Sequence, residues 1–127
     1  MHTGGCECGS VRFEVKNLRE TITACHCKQC QRTSGHVWAS TTAGREDYTF
    51  LSEEGLTWYK SSDWAERGFC AKCGSSLFYR MFKEDHMSVG AGCLDDPSDF
   101  KMGRHIFVKD KGAYYQIPED APHIQKY

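Results

Sequence analysis

A chain of 127 residues with a net charge of -1 and 39% hydrophobic content has the size of one modest domain and no electrostatic footprint for nucleic acid or an anionic membrane. No apolar run approaches the ~20 residues of a membrane helix, and the opening "MHTGGCECGS" has no apolar export core, so the expected setting is the cytoplasm, with neither nucleic acid nor membrane as partner. In that reducing setting, eight cysteines point to metal binding rather than to structural disulfides.

Cys6 and Cys8 stand two residues apart, so in extended backbone both thiols face the same side and can reach one ion. "VRFEVK" then alternates apolar and polar residues over 11–16, the pattern of a half-buried strand. Next comes "ITACHCKQCQRTSGH", in which Cys25, Cys27 and Cys30 combine a CxC and a CxxC that share Cys27. "HVWASTTA", "DYTFL" and "LTWYK" follow as short β-rich runs separated by Gly, Ser and Asp. "FCAKCGS" carries Cys70 and Cys73 as a CxxC followed by Gly74, which can take the positive φ that the exit of such a turn requires. "SSLFYRM", "HMSVGAG" and "RHIFVK" extend the series of strands, and the best helix candidate is the short "DDPSDF" over 95–100, with Pro97 near its start. The reading is an all-β fold of short antiparallel strands with little helix, in one domain over 1–127, with about 118–127 as an irregular peripheral tail.

Cys6, Cys8, Cys70 and Cys73 make up a complete four-cysteine set, which suits a structural zinc that joins the N-terminus to the middle of the chain. Cys25, Cys27 and Cys30 supply three ligands. Three protein ligands with one exchangeable position is the pattern of a catalytic or substrate-binding zinc, whereas Cys93, in "GAGCLDD", would close a second structural site. Spacing also permits another partition, in which Cys6 and Cys8 join Cys27 and Cys30, leaving Cys70 and Cys73 with Cys25 and Cys93.

"GGCECGSVRFEV", "CHCKQCQRTSG", "RGFCAKCGSSLFY" and "GCLDD" occur in that order across residues 4 to 96. Together they resemble the glutathione-dependent formaldehyde-activating enzyme family, to which centromere protein V-like proteins also belong. The resemblance implies a β-tent fold with two zinc ions per chain. It implies a structural zinc at Cys6, Cys8, Cys70 and Cys73, and a second, catalytic zinc at Cys25, Cys27 and Cys30. It implies a carbon–sulfur lyase acting on adducts of glutathione, or another small thiol, with an aldehyde such as formaldehyde.

Ligand charge agrees with that chemistry. Three thiolates on one divalent ion sum to about -1, so such a zinc lowers the pKa of a bound water less than a three-histidine zinc does, yet it stays thiophilic. A substrate thiol at the fourth position is then a better expectation than hydrolysis. Lys28, Arg32 and His36 bring positive charge close by in sequence, and Arg32 is the candidate to hold a substrate carboxylate. His26, between two cysteines that turn toward the metal, is expected to point away from it. The competing reading is a non-catalytic zinc-stabilised module for an unknown protein partner, with both zinc ions structural.

Overall fold

The computed structural model describes residues 1–127. Ten strands alternate with turns: β1 (His2–Gly5), β2 (Val11–Val15), β3 (Thr21–Cys25), β4 (Trp38–Gly44), β5 (Tyr48–Glu53), β6 (Leu56–Lys60), β7 (Ala65–Cys70), β8 (Ser76–Met81), β9 (His86–Gly90) and β10 (Lys101–Ile106). One α-helix, α1 (Lys28–Ser34), and three single 3-10 turns complete the chain. The fold is all-β, as the period-two patterning requires.

The strands form two sheets, one in the order β1-β2-β5 and one in the order β10-β3-β4-β9-β8-β7-β6. On β2 the alternation is complete: Val11, Phe13 and Val15 have no solvent exposure, while Arg12 and Glu14 turn outward. These residues meet Leu77, Phe78, Met87 and Val89 of the larger sheet in a common core. Phe78 is its hinge point, with ring centroids 5.3 Å from Phe13, 5.6 Å from Phe50 and 5.9 Å from Tyr48 in edge-on geometries that suit aromatic quadrupoles. Trp58 stacks on the other side of Phe78 and covers Gly68, where a Cβ would stand 3.0 Å from the indole.

Two expectations need correction. The strands are not all antiparallel: β10 runs parallel to β3. The segment 91–100 carries the chain from β9 across β4 and β3 to the far edge, and a crossover of that kind delivers the next strand in the same direction. Residues 95–100, the candidate helix, form turns instead. Asp96 accepts a hydrogen bond from the Ser98 amide at 3.0 Å, and Asp95 is drawn outward to Arg12 and Thr3, so the polar side chains there compete with helical bonding.

The helix that does form lies in the stretch whose spacing reads only as a run of ligands. Its N-cap is Cys27, whose sulfur accepts the Cys30 amide at 3.3 Å, and its C-cap is Gly35 at φ 92°. The tail runs along the free edge of β10, with hydrogen bonds from His105 N to Pro122 O and from Ile124 N to His105 O, both at 2.8 Å, so that edge is covered.

Candidate metal centres

Cys6 and Cys8 lie in the turn between β1 and β2, Cys70 ends β7, and Cys73 lies in the turn between β7 and β8. The β pairing of the core brings the two turns together, and all four sulfurs lie within 4.8 Å of one another. Gly9 and Gly74 follow the two cysteine pairs at φ 84° and 82°, so both turns leave their knuckle through a left-handed residue. Gly55 faces them with no side chain to spare: a Cβ there would come 2.6 Å from the Cys70 sulfur. The Cys6–Cys8 and Cys8–Cys70 sulfur separations are 3.7 and 3.8 Å. Two zinc–sulfur bonds of about 2.3 Å at a tetrahedral angle place their sulfurs about 3.8 Å apart. The donor set and its spacing therefore fit zinc. Ser75 donates to the Cys73 sulfur and pulls its pKa down to about 5, in the direction metal binding needs.

The second cluster is local. Cys25 ends β3, Cys27 caps α1, and Cys30 sits in the first turn of α1, 3% exposed. Their three sulfurs again lie within 4.8 Å of one another. Hydrogen bonds from the Cys25 and Cys30 thiols, with the backbone amides of Cys30 and Gln29, hold the Cys27 thiol down at about 2. The thiol of Cys25 is pushed up by its contacts with Cys27 and Cys30 and by burial. One thiolate shared among three sulfurs is a site arranged for a cation. Three soft donors with no fourth from the chain fit a zinc with one exchangeable position.

Cys93 belongs to neither cluster. It packs against the core, its thiol reaches the Ser76 carbonyl at 3.4 Å, and burial raises its pKa to about 11, so it behaves as a buried neutral thiol. Neither the closed second site nor the mixed partition of pairs is formed.

Nothing in the sequence marks Arg67, which precedes the other cysteine cluster in "ERGFC". It is 7% exposed on β7, donates to Gln29 Oε1 at 2.9 and 3.1 Å, and directs Nη2 to the Cys30 sulfur at 3.5 Å. The guanidinium also lies 5.0 Å from the Tyr79 ring and 5.8 Å from the Trp38 ring. A fixed cation thus stands against the Cys30 sulfur of the cluster.

Residues beside the cluster in sequence play other parts. His26 is 2% exposed and turned away: Nδ1 meets the Tyr115 hydroxyl at 2.7 Å and Nε2 meets His105 Nδ1 at 3.1 Å. Burial, then the neighbouring His105, lowers its pKa to about 4. His36 pairs with the Tyr114 hydroxyl. Ser34 and Thr33 donate to the helix's own carbonyls, and Gln31 donates to His26 O and Asp110 O, so these groups tie the loop together and are not free for a ligand. Lys28 and Arg32 are exposed on α1.

Residues 1–110 match the model of the glutathione-dependent formaldehyde-activating enzyme family. Over 82 residues the chain is 26% identical to an uncharacterized lyase of Schizosaccharomyces pombe, a match that covers 61% of this chain and 56% of that protein. The chain thus spans about half the length of this curated relative. A crystal structure of a Rhodobacter sphaeroides protein superposes with a TM-score of 0.64 at 26% identity, covering 79% of this chain and 98% of that one.

Proposed function

We propose a lyase function for this chain, which belongs to the glutathione-dependent formaldehyde-activating enzyme family: it makes and breaks the carbon–sulfur bond between a small thiol, glutathione in the first instance, and an aldehyde such as formaldehyde. The observation that carries the reading is the three-cysteine cluster with a buried arginine against it and no fourth ligand from the chain. Zinc held by Cys25, Cys27 and Cys30 would supply a thiophilic position at which a fourth sulfur stays ionised. Cys6, Cys8, Cys70 and Cys73 would hold a structural zinc and keep β7 in register with the N-terminal turn.

The chain's own residues account for the rest. Arg67 offsets the charge of three thiolates and favours the arrival of a further anion over a neutral ligand. Gln29 and the rings of Trp38 and Tyr79 hold its guanidinium in place. Cys27 fixes the start of α1 through the Cys30 amide, so the three sulfurs and the helix form one rigid unit. In the forward direction the thiolate sulfur attacks the carbonyl carbon, the carbon–sulfur bond forms as the carbonyl π bond breaks, and the resulting alkoxide takes a proton from solvent to give the S-hydroxymethyl hemithioacetal. In reverse the hydroxyl loses that proton, the carbon–sulfur bond breaks, and aldehyde and thiolate separate.

Exchange NMR on an equilibrium mixture of glutathione, formaldehyde and S-hydroxymethylglutathione tests the activity against the spontaneous reaction. The reading predicts an exchange rate that rises in proportion to zinc-loaded protein and returns to background in Cys27→Ser. An exchange rate unaffected by the protein would remove the lyase reading and favour the protein-binding module.

A further inference from the structure

The ladder between β3 and β4 is short. It pairs Thr23 with Ser40, Ala24 with Ala39 and Cys25 with Trp38, and then the strands part. Where they part there is an open trough of about 270 Å³ with no hydrophobic and no acidic residue in its lining. Arg19, Thr21, Thr23, Ser40, Thr42 and Arg104 face it. The register shift on β10 between Met102 and Arg104 inserts Gly103 and aims Arg104 at Thr23, whose Oγ1 accepts from Nε at 3.3 Å. Gly103 packs tightly on Thr21, since a Cβ would come 2.5 Å from the Thr21 Cβ. Arg19 is anchored by its own backbone, with N donating to Thr42 O at 3.1 Å and O accepting from Thr41 Oγ1 at 2.7 Å. Every ion pair of the chain lies elsewhere, so neither guanidinium has a carboxylate partner.

Two unpaired arginines and a ring of hydroxyls suit an oxyanion. The position of the trough narrows the choice. Thr21, Thr23 and Cys25 are alternate residues of one strand and share one face of the sheet. Thr23 is two residues from Cys25, or about 7 Å in extended chain. In a thiol tripeptide the carboxylates stand one to three chain units from the sulfur, about 4–10 Å at full extension.

We propose that this trough holds a carboxylate of the thiol substrate, with Arg104 and Arg19 as its recognition residues, while the substrate sulfur reaches Cys25, Cys27 and Cys30. The assignment rests on the lyase reading for the sulfur end and makes the substrate an acidic thiol rather than any thiol. It moves carboxylate recognition from Arg32, on the exposed face of α1, to the sheet.

The test uses zinc-loaded protein and three probes: S-methylglutathione, which keeps both carboxylates but has no thiol; cysteamine, which has a thiol but no carboxylate; and inorganic phosphate. S-methylglutathione is expected to shift the amide resonances of Thr21, Thr23, Ser40 and Thr42. Its Kd is expected to rise about tenfold or more in Arg104→Gln and in Arg19→Gln. Cysteamine, followed by the absorption of the cobalt-substituted second site, is expected to bind wild type and both variants alike. Unchanged S-methylglutathione affinity in both variants, or shifts confined to another face, would overturn the proposal. So would phosphate that fills the trough and is not displaced by S-methylglutathione, which would reassign the site to a free oxyanion. Cysteamine that leaves the second site of the wild type unperturbed would sink the lyase reading, whereas S-methylglutathione bound in the trough would still support carboxylate recognition there.

Discussion

Replacing Arg67 with Met removes the one buried cation beside the three-cysteine cluster and keeps most of the aliphatic bulk. Its effect should fall on thiol binding more than on zinc binding. Without metal, the cluster carries about one thiolate, on Cys27. With three thiolates and one divalent ion it carries about -1 as well, so zinc loading changes the charge facing Arg67 little. A substrate thiolate changes it by a full unit. A sulfur joining the cluster stands roughly 6 Å from the guanidinium, and at an effective dielectric of about 20 that interaction is about 3 kcal/mol before screening. Allowing for water and relaxation, about 1–2 kcal/mol remains, a loss of roughly 5- to 30-fold in thiol affinity. Calorimetric titration of zinc-loaded protein with glutathione measures this directly, and Arg67→Lys, which keeps the charge without the fork to Gln29, should recover part of the loss. Unchanged glutathione affinity in Arg67→Met at full zinc occupancy would refute the reasoning. Loss of the second zinc itself would show that Arg67 holds the cysteines in place rather than offsetting their charge.

Further outcomes follow from the same geometry. Cys70→Ser should lose the first metal and fail to fold cooperatively in a thermal melt, because a structural zinc contributes on the order of 10 kcal/mol, as much as the whole stability of a small domain. Cys93→Ala should retain both metals by elemental analysis and cost about 1–2 kcal/mol in urea unfolding, the loss of one weak hydrogen bond and a small cavity beside Ser76. Asp95 makes a bidentate pair with Arg12 at 2.6 and 3.0 Å and accepts from Thr3, contacts that hold its pKa near 2 against an ordinary 3.8. A depressed folded-state pKa contributes stability above the ordinary value and loses it as pH falls through the folded one. Asp95→Asn should therefore be less stable than wild type by about 1 kcal/mol at pH 7, the pair being part exposed, with the difference fading between about pH 4 and pH 2. A difference that persisted unchanged at pH 2 would contradict that assignment.

Much of the fold was legible wherever one face of a strand is buried. The alternation of Val11, Phe13 and Val15 is a period-two pattern and appears as a strand, and so do the β-rich runs of β4, β5, β6, β8 and β9, whereas "RHIFVK" is strand only as far as Ile106, because Phe107 at φ 54° turns the chain into a 3-10 turn over Val108–Asp110. The misses have different causes, and in β3 and α1 chemistry-bearing residues hid local structure. Ile22 and Ala24 alternate with Thr21, Thr23 and Cys25 as β3, but the cysteines drew the reading to ligands. α1 has no apolar stripe and only one buried residue, Cys30; its signals were a sulfur at the N-cap and Gly35 at the C-cap. β1 is half glycine, and it pairs because a bare Gly4 can lie against the Cys93 carbonyl and the Phe13 ring. Spacing named the seven cysteines of the two clusters but left their partition open, since only the tertiary pairing of two distant turns decides it. Arg67 and the arginines of the trough are products of register, and no local pattern encodes register.

The central claim is that Cys25, Cys27 and Cys30 hold a metal with a place for a substrate thiol. Cobalt-substituted protein titrated with glutathione, followed by absorption through the sulfur-to-cobalt and ligand-field bands, tests it most directly. The account predicts two metal ions per chain, a spectral change in one of them that saturates with glutathione, and no change in the other. Two spectra that are both indifferent to saturating glutathione would contradict it.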